Sequence, residues 1–130
     1  MKLNYQTTGT GQPLVILHGL FGSSDNWRGL AKQLAKQAQV ITIDLRNHGR
    51  SPHSSEQTYD LMVEDVAELF ERLKLEQVDI IGHSMGGKVA MVLSQRYPQW
   101  LRKLVVVDIA PRTYSAEHNA IFQCLPLSAQ

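Results

Sequence analysis

Short apolar runs separated by longer stretches of helical spacing set the pattern of this chain. Leu14–His18 (LVILH), Val40–Leu45 (VITIDL), Val78–Ile81 (VDII) and Lys103–Asp108 (KLVVVD) are apolar at most or all successive positions. Runs of that kind are what strands buried on both faces look like. Between the first two lies SSDNWRGLAKQLAKQ, whose Trp27, Leu30, Ala31, Leu34 and Ala38 share one helical face, with Ser24 or Asp25 as the expected N-cap. From Thr58 a second helix is expected, with Tyr59, Met62, Val63, Val66, Leu69, Phe70 and Leu73 as its apolar stripe. A third, MGGKVAMVLSQRYP, stops by Pro98. Thr7–Pro13 reads as a turn between two early strands, and RNHGRSPHSSEQ as a polar loop.

Strands alternating with helices predict an α/β fold, a mostly parallel sheet with flanking helices. After Lys103–Asp108 the chain shows no clear period. The sheet is therefore expected to stop there, leaving that strand as an uncovered apolar edge through which copies could associate. In an open parallel sheet, reactive groups gather in the loops at the carboxyl ends of the strands. Here those ends carry His18-Gly19-Leu20, Asp44 to Arg50, Gly82 to Gly86 and Asp108, so the polar peculiarities of the sequence fall on one edge.

Composition narrows the function classes. The 130 residues suit one domain, and 43% apolar residues suffice for a core. A net charge of +1 without like-charge blocks gives no footprint for nucleic acid. No run is long enough to span a bilayer, and the amino terminus lacks the apolar core of a secretion signal. The single cysteine, Cys124, leaves no internal disulfide and favours a reducing compartment, so a cytoplasmic location is expected. The histidines at 18, 48, 53, 83 and 118 include no pair at metal-ligand spacing, and neither metal nor organic cofactor is expected.

The chemistry centres on Gly82-His83-Ser84-Met85-Gly86, a G-x-S-x-G directly after a strand and before a helix. Such a turn strains the serine backbone and lifts its hydroxyl above the sheet, at a helix N-terminus that favours negative charge. Acyl transfer also needs donors for the developing oxyanion. The amide of Met85 is one; the second is expected from His18-Gly19-Leu20-Phe21-Gly22, with Leu20 preferred and Phe21 in reserve. His83 adjoins Ser84 in sequence, but neighbours in so tight a turn point apart, which disfavours it as the base. His18 is expected to brace its loop, and Asp44, Arg46 and Gly49 to shape theirs. His48 is within reach of the pocket without being assigned a catalytic role.

LHGLFGSSDNW, IDLRNHGRS, GHSMGGKVAM and VVVDIAP together resemble the N-terminal half of an α/β-hydrolase-fold esterase, of the group typified by YbfF and abhydrolase domain-containing protein 11. The likeness covers residues 1 to 115. It implies Ser84 as nucleophile, Leu20 and Met85 as oxyanion donors, and Asp108, 24 residues after Ser84, as the acid. It also implies a first half of the hydrolase core over 1–112 and the start of a cap over 113–130. The family histidine lies near the end of a chain about twice this long, and none of the five histidines, His118 included, takes that place. The expected activity is serine carboxylic-ester hydrolysis through an acyl-enzyme, weak or absent in this chain alone, on a small acyl ester or thioester. The rivals are thioester, lactone or C–C bond hydrolysis or a lyase reaction on the same scaffold, and a non-catalytic partner-binding fragment.

Overall fold

The computed structural model describes the backbone of residues 1–109 and 120–126 and the side chains of residues 1–107. The elements run β1 (Tyr5–Thr8), β2 (Pro13–Leu17), a 3-10 turn (Ser24–Trp27), α1 (Arg28–Leu34), β3 (Gln39–Ile43), α2 (Tyr59–Arg72), β4 (Val78–His83), α3 (Met85–Arg96), a second 3-10 turn (Pro98–Trp100), β5 (Leu101–Ile109) and β6 (Ala120–Pro126). They form one sheet in the order β1-β3-β2-β4-β5-β6. The four inner strands are parallel; β1 runs antiparallel along β3, and β6 antiparallel along β5.

The inner strands are apolar at most positions because their two sets of alternate residues enter different cores. On one face Val15 and Leu17 of β2, Ile41 and Ile43 of β3, and Val78 and Ile80 of β4 pack with α2 and α3 around fully buried Phe70. On the other, Ile16 and Val40 meet Ala31, with Leu14, Trp27, Leu34 and Ile81 partly buried around them. The α2 stripe is buried at Met62, Val63, Val66, Leu69 and Phe70. Tyr59 departs from the expectation: it stays 38% exposed, with the Lys88 ammonium 5.8 Å from its ring centre. Thr58 caps α2, its hydroxyl accepting the Leu61 N–H at 3.1 Å.

Two further expectations are corrected. The first helix opens one residue earlier than Ser24 or Asp25, at Ser23, whose N–H donates to Asn26 Oδ1 at 2.8 Å. The cause is long-range: the Ser24 N–H is already taken by Asp44 Oδ1 at 2.7 Å, and the first turn tightens to 3-10. The sheet also does not stop at β5. Lys103–Ile109 of β5 pair with Ala120–Pro126, so the edge expected to be bare is covered by β6, which satisfies its backbone donors and acceptors. Of the segment expected to begin a cap, residues 113–119 lie outside the described residues, and 120–126 join the sheet.

Candidate active site

The carboxyl ends of β2, β4 and β5 meet at Ser84. β4 ends at His83 and α3 begins at Met85, so a single residue makes the reversal. Ser84 has φ 53° and ψ −112°, a conformation costing a non-glycine residue about 1–3 kcal/mol. Two contacts hold it there. The Ser84 N–H donates to the Val107 carbonyl of β5 at 3.2 Å, and the Ser84 carbonyl accepts the Lys88 N–H at 3.1 Å, the first turn of α3. Space explains the flanking glycine: a Cβ on Gly86 would stand 2.6 Å from the His18 carbonyl oxygen. Helix α3 can therefore press its N-terminus onto β2 only if that position has no side chain. The Ser84 side chain is left exposed beside the positive end of α3.

The loop after β2 closes on this turn. A Cβ on Gly19 would lie 3.3 Å from Ser84 Cβ and 2.7 Å from His83 Nδ1. The Gly22 N–H donates to the Gly19 carbonyl at 3.0 Å, folding Gly19–Gly22 into a turn with Phe21 at φ 62°. Among the described residues the amides of Leu20 and Met85 carry no hydrogen bond, whereas the Phe21 N–H donates to His48 Nε2 at 3.1 Å. Leu20 rather than Phe21 thus has an amide available to a ligand. Both side chains are solvent-facing, Leu20 at 52% and Phe21 at 91% exposure.

Two other histidines brace these loops. His18 is fully buried; Nε2 accepts the Leu45 N–H at 3.0 Å, so Nδ1 bears the proton and donates to the Gly19 carbonyl at 2.7 Å. Burial, with the neighbouring His48 and His83, holds its pKa below the usual value against the Gly19 hydrogen bond and Asp44. His48 is used in the same way, Nδ1 donating to the Arg46 carbonyl at 2.8 Å. Neither ring has a nitrogen left to take a proton from Ser84. The His83 ring sits edge-on to Trp27, 5.7 Å between centres. His53 is exposed on the 46–58 loop, and His118 lies outside the described residues.

Asp44 and Arg46 shape the loop after β3, as expected. Asp44 is buried and accepts from Ser24 N at 2.7 Å, Asn4 Nδ2 at 2.8 Å and Arg50 N at 3.1 Å. Burial alone would raise its pKa; these hydrogen bonds outweigh it and hold the carboxyl below its usual value. Arg46 forms a buried bidentate pair with Asp65 of α2, 2.7 and 3.0 Å. Sequence reading missed Asp65, whose signal is a carboxylate on the inward stripe of an amphipathic helix. It also missed Asn4, a polar residue before a short edge strand that no local pattern marks.

Asp108 is placed by its backbone. Val107 pairs with His83, so Asp108 is the next residue along the neighbouring strand, level with Ser84. Its side chain is not among those described. A cavity of about 350 Å³, lined by Gly19, Leu20, Phe21, Gly22, Asn26, Trp27 and His83, opens beside Ser84. A larger one of about 560 Å³ lies at the opposite, amino ends of the strands, and Ser84 and the Gly19 loop take no part in its lining. Among the described residues no three metal-ligating side chains converge, and no helix is long and apolar enough to cross a membrane.

A parallel sheet with a strained serine between its central strand and the following helix is the arrangement against which known proteins can be compared. The sequence profile of the alpha/beta hydrolase fold matches residues 12–126. The chain belongs to that family. It is 50% identical over 113 residues to the sn-1-specific diacylglycerol lipase ABHD11 of Danio rerio, covering 85% of this chain and 36% of that one. Against Esterase YbfF of Escherichia coli K12 the identity is 38% over 131 residues, 96% of this chain and 52% of that one. Among solved structures, a marine microorganism esterase superposes with a TM-score of 0.82 at 49% identity, covering 89% of this chain and 45% of that one. This alpha/beta hydrolase chain thus spans about a third to a half of the length of the relatives it matches.

Proposed function

We propose that this chain carries the nucleophile half of a serine carboxylic-ester hydrolase. Ser84 Oγ attacks the acyl carbonyl and yields its proton to a histidine. The oxyanion accepts hydrogen bonds from the amides of Leu20 and Met85. Collapse expels the alcohol, protonated by the same histidine, and water then releases the acid from the acyl-enzyme. His18 and His48 spend both ring nitrogens on backbone groups. The reading therefore assigns the proton shuttle to none of the five histidines of this chain but to one in the part of its relatives' length that this chain does not span, oriented by Asp108.

One observation carries the proposal: Ser84 is exposed in a left-handed conformation against the Gly19 loop, with two unbonded amides beside it. A generic strand-to-helix turn has no reason to hold a non-glycine residue there at a cost of about 1–3 kcal/mol. The esterase and lipase names of the relatives support the ester class. The experiment is a panel of acyl esters and thioesters given to the full-length protein, beside Ser84→Ala. Ester turnover abolished by the substitution is expected. Turnover that survives it, or confined to thioesters, overturns the assignment.

A further inference from the structure

We propose that His18 and His48 form a pair of clamps that position the Leu20 amide, and that a proton on His48 Nε2 opens the clamp on its Phe21 side. The inference rests on the reading of Leu20 as an oxyanion donor.

A peptide plane is rigid, so holding the Gly19 carbonyl fixes the direction of the Leu20 N–H, its trans partner in the same plane. That carbonyl is held from two sides, by His18 Nδ1 at 2.7 Å and by the Gly22 N–H at 3.0 Å. The next plane is held by the Phe21 N–H on His48 Nε2 at 3.1 Å. Both planes flanking Leu20 are thereby fixed, in a turn whose Phe21 is left-handed and gains nothing locally from staying so.

The clamps cross over. His18, at the end of β2, grips Leu45 of the loop after β3; His48, from that second loop, grips Phe21 of the first. The two rings lie 5.0 Å apart. The Arg46 carbonyl that orients His48 belongs to the residue anchored on Asp65 of α2, so the chain of contacts ends on a rigid helix.

Two links need an unprotonated Nε2, that of Leu45 N–H to His18 and that of Phe21 N–H to His48; the Nδ1 bonds to the Gly19 and Arg46 carbonyls survive a second proton. On either ring a second proton would place N–H against N–H, replacing an acceptor by a like donor. The charged and titratable groups around the pair are few. The Asp44 carboxylate favours a proton on His18, while His83 and the two rings themselves oppose it. The Arg46 guanidinium is committed to Asp65, Arg50 and His53 are exposed, and Asn47 and Gln57, which share a cavity with His48, are uncharged.

The test combines nitrogen NMR with serine labelling on the full-length protein. A scalar coupling across the hydrogen bond from Phe21 N–H to His48 Nε2 is expected near neutral pH. On acidification it should vanish as the Leu20 and Gly22 amide shifts move in step. In parallel, the rate of Ser84 phosphonylation by a fluorophosphonate should fall about ten- to hundredfold in His48→Ala, as expected for a misplaced donor. His48→Gln, which keeps an acceptor but cannot titrate, should restore the rate and abolish the shift of Leu20 with acid. Leu20 shifts indifferent to pH, or equal labelling in wild type and His48→Ala, overturns the clamp. Failure of wild-type Ser84 to label at all overturns the hydrolase reading instead, and the coupling still tests the clamp.

Discussion

Replacing Asp44 by asparagine changes one oxygen to an amide group and almost nothing in volume. Asp44 is 2% exposed, and its two oxygens take three donors from three segments: Asn4 before β1, Ser24 at the first 3-10 turn, and Arg50 in the following loop. Asparagine keeps one acceptor, enough for Ser24, and turns an NH2 toward Asn4 and Arg50. Two charge-assisted hydrogen bonds at about 1.5–3 kcal/mol each are lost. Both partners are only partly buried and can recover water, so the net cost should be about 2–4 kcal/mol, against a total stability of roughly 5–15 kcal/mol. Urea unfolding followed by tryptophan fluorescence measures it. The pH dependence makes the test specific. Asp44 has a folded pKa below its unfolded value of about 3.9, so its contribution is complete above that value and is lost as pH falls through the folded one. The gap between wild type and Asp44→Asn should therefore close in acid. A neutral-pH gap under about 0.5 kcal/mol, or one that stays constant down to about pH 3, refutes the reasoning.

Other perturbations probe the remaining supports. Gly86→Ala places a methyl group 2.6 Å from the His18 carbonyl oxygen; it should cost about 1–3 kcal/mol in denaturant unfolding and slow Ser84 labelling by shifting the start of α3. Asp65→Asn strands the buried Arg46 guanidinium and should cost about 3–5 kcal/mol, most of it recovered when Arg46→Met is added. His18, with a pKa lowered chiefly by burial, contributes stability that is full above about pH 6.5 and declines as pH falls through its lower folded value; its ring should titrate below the ordinary histidine range in NMR. The 130-residue chain by itself should hydrolyse esters only at a residual rate, because His18 and His48 are both committed to the backbone; turnover matching the full-length protein would contradict that.

What could be read from the sequence was what depends on local order. The parallel strands announced themselves because both faces of each are buried, and α2 because its stripe holds the helical period from Met62 to Phe70. The serine turn was readable because two glycines and a serine between a strand and a helix have few other uses. What escaped depends on partners far along the chain. β6 has no period of its own and becomes a strand by pairing with β5. The first helix opens as a 3-10 turn because a carboxylate 20 residues later takes its amide. Asp65 interrupts an apolar stripe for the sake of Arg46, and His48 holds an amide 27 residues away, both invisible to a scan of spacing.

A reactive hydroxyl at Ser84 is the central requirement of a serine hydrolase, and covalent labelling addresses it most directly. Full-length protein treated with a fluorophosphonate should gain one adduct, mapped to the peptide containing Ser84 and absent from Ser84→Ala. An adduct elsewhere, or none under conditions that label a control serine hydrolase, would contradict it.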